Sequence, residues 1–240
     1  MSVDRVPSEE MSSRCEAISR RLRRVAEADQ GHIVFGARAH CYRLTAPVTL
    51  ELVAQFENRF SIELPNDYRS FLTSVGTGGA GPGYGMRWFP STMAFPANVD
   101  PNLLLDAWCR AGGTRTYREW LEAHPEWIQM PFPFSEEYQR PVERRELDGE
   151  EILNLATDLD RGTLLLSDEG CAIQSVLVVS GTERGTIWCW SQDRDNMTPY
   201  PPPWDERGRR RFGDHGRVRF VDWYEYWLDC AEEQAKRAVR

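Results

Sequence analysis

Apolar residues near the start of the chain recur at the spacing of one face of an α-helix. Ser13 followed by Glu16 fits a capping box, which predicts that this helix begins near Ser13. Arginines at positions 20, 21, 23 and 24 lie mostly off the apolar stripe, which indicates a solvated face. We interpret residues 1–44 as an N-terminal helical extension. The stripe consists of Cys15, Ile18, Leu22 and Val25.

A second helical pattern follows an ambiguous segment, residues 31–45, for which we expect an extended connection. This helix is predicted to begin near Thr45 or Pro47, since both residue types are favoured at helix N-termini. Its apolar positions keep a helical period through Phe60. They are Val48, Leu52, Val53, Phe56 and Phe60.

A third, short helix is predicted from a cap at Asn66 or Asp67 to Gly76. The glycine-rich segment after it, residues 76–85, is expected to be a flexible loop that leads into a strand around Tyr84–Phe89. Residues 90–150 show only short helical fragments, and the prolines of Met130–Phe134 favour an extended edge over a central strand.

Three apolar runs joined by short turns predict strands over residues 162–167, 172–180 and 185–191. In the middle run, Val176–Val179 is apolar on both faces, which is typical of a central strand covered on both sides. The turn between the first two strands is expected at Asp168, Glu169 and Gly170.

The end of the chain combines a basic segment with an aromatic helix. Met197–Gly216 is rich in proline and arginine and is predicted to be a surface loop. A terminal helix is then expected to begin near Phe220 and to pack its aromatic stripe into the core. The stripe consists of Phe220, Trp223, Tyr224, Trp227, Leu228 and Ala231.

Composition narrows the functional classes. The 240 residues carry a formal net charge of −8, which disfavours general binding to phosphate backbones and favours a basic partner. No apolar run reaches the ~18 residues of a membrane helix, and no apolar signal segment follows the N-terminus. The six cysteines are scattered, which is typical of reduced thiols in a cytoplasmic protein.

The sequence lacks recognisable motifs for catalysis, metal binding or cofactor binding. We therefore predict that the protein is not an enzyme. The spelling G-x-G-x-x-G at Gly76–Gly81 is rejected as a dinucleotide loop, because it follows a helix and not a strand. The four histidines lack metal-ligand spacing. Two carboxylate pairs, Asp158 with Asp160 and Asp193 with Asp195, lie in contexts typical of turns. No cofactor is expected, although a Cys–His pair formed in space remains an alternative.

Five sequence features in a fixed order resemble the SUKH superfamily, which includes fungal cell-wall assembly regulators and many bacterial immunity proteins paired with secreted toxins. The resemblance covers roughly residues 45–232. The features are Leu64-Pro65-x-Asp67-Tyr68-x-x-Phe71-Leu72, the glycine loop, Gly170-Cys171 before Leu177-Val178-Val179-x-Gly181, Gly185-x-x-Trp188, and Phe220-x-x-Trp223-Tyr224-x-x-Trp227-Leu228.

The resemblance implies a single α+β domain with N-terminal helices, a mainly antiparallel central sheet and a C-terminal helix. We place this domain at residues 45–240. Insertions near 90–150 and 192–219 make it longer than a minimal member of the family. Gly76-Thr77-Gly78-Gly79 stands where the family often has Asn-Gly-Gly. The family has no shared catalytic residues to carry over.

The resemblance also implies that partners bind on the exposed side of the sheet and on its rim loops. Each segment of this predicted surface has a structural alternative: the glycines could serve only to turn the chain, Asp168 to cap a hairpin, and Trp204 to cover a core edge. The predicted partner-binding residues are Gly78, Gly79, Tyr84, Asp168, Glu169 and Trp204.

Three functions remain open at this point. The leading one is an immunity protein that binds and neutralises a cognate, basic protein toxin, often a nuclease. A regulatory scaffold of the same fold without a toxin partner is the second. The third is an enzyme that uses Asp158 and Asp160 or a Cys–His pair. The oligomeric state and the partner's identity do not follow from the sequence.

Overall fold

The computed structural model describes residues 7–87, 89, 125–134, 161–170, 173–191, 206–212 and 217–238. These residues form an α+β arrangement of N-terminal helices, a three-stranded antiparallel sheet and a long C-terminal helix, as the sequence predicts. The helices are α1 (Glu9–Ala28), α2 (Ala37–His40), α3 (Leu50–Phe60), α4 (Asn66–Ser74), α5 (Pro125–Gln129), α6 (Glu206–Phe212) and α7 (Phe220–Ala238). The strands are β1 (Thr163–Gly170), β2 (Ile173–Val178) and β3 (Ile187–Ser191).

The two N-terminal caps differ from those expected. The hydroxyl of Ser8 accepts the Met11 N–H, so α1 begins before Ser13, and two glutamates in its first turn favour the helix dipole. The hydroxyl of Thr49 accepts the Leu52 N–H, so α3 begins at Leu50 and not near Thr45. Both corrections reflect local caps that apolar periodicity does not encode.

The segment after α1 is folded around one buried carboxylate, and it contains the short helix α2 where an extended connection was expected. The Asp29 oxygens accept the N–H groups of Ile33 and Val34 at 2.8 and 3.0 Å. The hydroxyl of Tyr42 donates to the same side chain at 2.5 Å. Asp29 therefore closes residues 29–42 into a loop against the core, and these hydrogen bonds lower its pKa.

The prediction of a central strand covered on both faces is confirmed. β2 lies between β1 and β3. Leu177 and Val179 join the main core, which also includes buried residues of α1, α3, α4 and α7. Val176 and Val178 face a second cluster with Trp188, covered by Phe132 and Phe134. The pleat of the strand sends alternate side chains to these two layers.

Helix α1 lies beside α7 and runs in the same direction. Salt bridges that repeat along both helices join them. Arg14 contacts Asp222 and Glu225 at 2.5 and 2.7 Å. Seven residues further along both helices, Arg21 contacts Asp229 and Glu232 at 2.5 and 2.8 Å. The buried stripe of α1 belongs to the main core, so α1 shares one hydrophobic interior with α3, α4, α7 and the sheet.

Candidate partner-binding groove

The glycine-rich segment extends the sheet beyond the free edge of β1. Met86 pairs in antiparallel sense with Ser167 of β1 on one side and with Gly79 on the other, and Gly79 also pairs with Leu44. The expected strand over Tyr84–Phe89 is therefore reduced to a bridge at Met86. The segment expected to be flexible is held by backbone hydrogen bonds and close packing.

Two predicted binding residues, Gly78 and Gly79, take part in this sheet extension. The buried carbonyl of Gly78 accepts the N–H of Thr45 at 3.0 Å. Gly79 has a φ of +102°, and a Cβ there would lie 2.2 Å from the carbonyl oxygen of Arg43. These contacts give both glycines a structural role in bringing two segments of backbone together.

Further along, the same segment lies directly against the end of β1. The N–H of Tyr84 donates to the carbonyl of Asp168 at 2.8 Å. Gly83 has a φ of +61°, and a Cβ there would lie 2.1 Å from that same carbonyl. The fold thus brings the predicted binding residue Tyr84 next to two others, Asp168 and Glu169, that are distant from it in sequence.

Of these three residues, Glu169 lines an open groove of about 260 Å³, which we call the aromatic groove. At its rim the rings of Phe35 and Tyr84 lie 5.2 Å apart, and these side chains are 54% and 45% exposed. The walls come from the segments around Val34 and Pro82, from β1, and from helices α6 and α7. The main lining side chains are Phe35, Glu169, Phe212, Trp223, Tyr226, Trp227, Cys230 and Gln234.

Glu169 is the charged residue among the side chains that line the groove. We expected it in an exposed turn, but it lies in a strand and is largely buried. β1 continues to Gly170, so Asp168 and Glu169 are strand residues. One carboxylate oxygen of Glu169, Oε1, accepts the hydroxyls of Ser167 and Ser175 at 2.6 and 2.7 Å. Burial raises the pKa of Glu169, because the ionised form loses solvation.

Asp168 has a different local role. Its Oδ1 accepts the N–H of Gly170 at 2.8 Å, which fits the structural alternative of a turn cap at the end of β1. The sixth predicted binding residue, Trp204, lies outside the described residues, as do Asp158, Asp160, Asp193 and Asp195.

The arginine-rich segment is partly helical, which corrects its interpretation as a surface loop. Within residues 206–212, Arg207 contacts Glu233 of α7 at 2.6 Å, and Arg211 contacts Asp229. Downstream, Arg217 contacts the buried carboxylate of Glu183 at 2.7 Å. These cations are therefore paired within the chain and hold α6 and β3 near α7.

Several residues that line the groove were not predicted as binding residues from the sequence. Trp223 and Trp227 belong to the predicted aromatic stripe, but nothing local shows that one edge of that stripe lines a groove. Phe35 lies in the ambiguous segment 31–45, and only its exposure marks it. Gln234 accepts the Phe35 N–H at 3.4 Å, a contact between residues almost two hundred positions apart.

Other chemistry is limited to isolated groups in the described part of the chain. Nδ1 of His40 accepts the Tyr42 N–H at 3.0 Å, and burial lowers the pKa of His40 to about 4. The neighbouring Cys41 thiol faces the carbonyl of Arg38. Among the described residues, no group of three or more His, Cys, Asp or Glu side chains converges as a metal site.

None of the described helices has the length and apolar character to cross a membrane.

Comparison with known proteins identifies a family. The model of a protein family described as SMI1 / KNR4 family (SUKH-1) matches residues 47–206, which is two thirds of the chain. This match includes α3, α4 and the three strands, and it confirms the resemblance found in the sequence. No curated protein and no solved structure matches the chain.

Proposed function

This chain belongs to the SMI1 / KNR4 family (SUKH-1), and we propose that it is a non-catalytic, cytoplasmic protein-binding module that neutralises a cognate bacterial toxin. The family resemblance supports a binding role, since it implies immunity proteins and regulators without shared catalytic residues. The aromatic groove is the observation that carries the proposal.

The groove has the composition of a protein interface. Tryptophan and tyrosine are enriched where binding energy concentrates, because they bury a large area at low entropic cost. Here Trp223, Tyr226 and Trp227 line a concave surface whose rim exposes Phe35 and Tyr84. Exposed aromatic side chains around a groove are costly in water and gain when a partner covers them.

The charge of the chain favours a basic toxin. The net charge is −8, and two arginines of α6, Arg207 and Arg211, are already paired with carboxylates of α7. An acidic protein attracts a basic partner and raises the association rate at low salt. Neutralisation then needs only that the bound chain covers the toxin's active cleft or an adjacent surface.

The test is to purify this protein with the product of a neighbouring toxin gene and to measure toxin activity against added inhibitor. We expect stoichiometric inhibition, no turnover, and slower association at higher salt. Phe35→Ala should weaken inhibition without changing the melting temperature. Leu50→Ala is the matched control, since Leu50 is an exposed apolar residue that does not line the groove.

Two outcomes would overturn the proposal. One is the absence of a complex at micromolar concentrations, and the other is chemical turnover of the toxin or its substrate by this protein. A regulatory scaffold, which the family also contains, would instead bind a protein without toxic activity. Identical losses in Phe35→Ala and Leu50→Ala would remove the groove from the binding surface.

A further inference from the structure

We propose that the aromatic groove receives one arginine side chain of the partner, with Glu169 as the counter-charge at its wall. The identity of the partner rests on the proposed function, whereas the chemistry of the groove can be tested without it. Three features support this assignment: the carboxylate, the rings around it and the pairing of two of the chain's own cations.

The carboxylate of Glu169 is held in place before any partner arrives. Both serine hydroxyls bind the same oxygen, Oε1, from β1 and from β2. Among the described residues, no hydrogen bond reaches the other oxygen, Oε2. A carboxylate fixed in this way loses little side-chain entropy on pairing, which is the cost that weakens exposed ion pairs.

The surrounding rings suit a planar cation. Trp223, Tyr226, Trp227 and Phe35 line the same groove as Glu169. A guanidinium group stacks on aromatic faces and donates to carboxylates in its own plane, so it satisfies both features at once. Its apolar stem would cover the ring edges while its charge meets Glu169.

A neutral guest fits this groove less well. An apolar side chain that excluded water would remove more solvation from Glu169 and supply no cation, whereas a cation offsets that loss and favours the ionised carboxylate. Two arginines of α6, the helix that contributes Phe212 to the groove, do not pair with Glu169, because Arg207 pairs with Glu233 and Arg211 pairs with Asp229. The missing cation is therefore expected from the partner.

The test uses small probes and the full chain. N-acetyl-L-arginine methylamide is titrated while the indole N–H signals of Trp223 and Trp227 are followed by NMR. The neutral isostere N-acetyl-L-citrulline methylamide is titrated in parallel. We expect saturable shifts with arginine and binding weaker by about tenfold or more with citrulline, because only arginine pairs with the carboxylate.

Variants separate the roles of charge and ring. Glu169→Gln should abolish the preference for arginine over citrulline, and Phe35→Ala should weaken both probes several-fold. Glu27→Gln, which removes an exposed charge outside the groove, should behave as the wild type. If Glu169→Gln does not fold, Phe35→Ala still tests the site. Equal binding of arginine and citrulline, or shifts outside the groove, would overturn the inference.

The same variants distinguish this inference from the proposed function. Arginine binding without any toxin inhibition would remove the immunity role and leave the cation site in place. Toxin inhibition that is unchanged in Glu169→Gln and unaffected by arginine would keep the immunity role and overturn the cation site.

Discussion

The carboxylate of Asp67, in α4, accepts the backbone N–H of Val221 in the first turn of α7 at 3.2 Å. Its other oxygen accepts the N–H of Tyr68 at 3.0 Å. The first N–H groups of a helix have no partner within the helix, so Asp67 caps α7 from a distant part of the chain. This contact joins two of the sequence features that resemble the family, and the ring of Tyr68 packs against Phe220 beside it.

Replacing Asp67 with alanine should destabilise the fold by about 1–3 kcal/mol, because it leaves two buried N–H groups without an acceptor. Urea unfolding measures the change. Ser74→Ala, at an exposed position of the same helix, is the control and should stay within about 0.5 kcal/mol of wild type. An equal effect in both variants would mean that the cap contributes nothing.

Removal of residues 1–30 should abolish cooperative unfolding. The interpretation of residues 1–44 as an extension predicts that truncation is tolerated, but four buried side chains of α1 belong to the main core. As a milder test, Ile18→Ala should cost about 2–5 kcal/mol, since Ile18 is fully buried. Glu27→Ala on the exposed face is the control. A sharp, unchanged melting transition after truncation would contradict this expectation.

Gly83→Ala should lower stability by at least about 1–2 kcal/mol, because alanine disfavours a φ of +61° and its methyl group would meet the carbonyl of Asp168. Gly31→Ala is the matched control, since a Cβ there meets only the flexible side chain of Ile33 at 3.5 Å. Thermal melts compare the two. Equal stability would show that the segment moves away from β1 at no cost.

Trp223→Ala should cost about 3–5 kcal/mol, a large part of the stability of a typical domain. Trp223 is only 3% exposed and belongs to the core as well as to the groove. Chemical unfolding followed by circular dichroism measures the loss. A melting temperature within a couple of degrees of wild type would show that Trp223 contributes little to the core.

The contribution of His40 to stability should fall as the pH drops from about 6.5 to about 4, because His40 stays neutral in the folded state. Burial lowers its pKa from 6.5 to about 4, so over this window the unfolded chain binds a proton that the folded chain does not. The full effect is about 3 kcal/mol. It is measured as the free energy of unfolding across this pH range.

His40→Gln isolates this contribution. The raised pKa values of Asp67 and Glu169 act in the opposite sense, because these acids bind protons more readily when folded. The difference between wild type and variant removes their effect. His40→Gln should flatten the slope between pH 6.5 and 4, and an unchanged slope would exclude His40 as its source.

The helices and strands were largely predictable because each carries a local period. The apolar spacing that predicted α1, α3 and α7 depends only on 3.6 residues per turn, and the run at Val176–Val179 indicated a two-sided central strand. Caps were less predictable, since a serine or threonine a few residues away competes for the same N–H groups, as Ser8 and Thr49 show.

The candidate site could be predicted only in part. Tyr84, Asp168 and Glu169 were expected near the sheet rim and do lie together, but Glu169 was expected to be exposed. Its burial depends on Ser175 of β2 and on the groove residues of α7, which come from other elements. Nothing in the neighbouring sequence encodes that environment.

By itself, the sequence determined the class of fold, the family and the acidic character of this protein, because periodicity, motif order and charge are properties of the chain. Tertiary structure alone decided that α1 completes the core and that Phe35, Glu169 and Trp227 line one groove. The physical reason is that the burial of a side chain depends on which distant elements cover it, whereas local periodicity records only which face of an element is apolar.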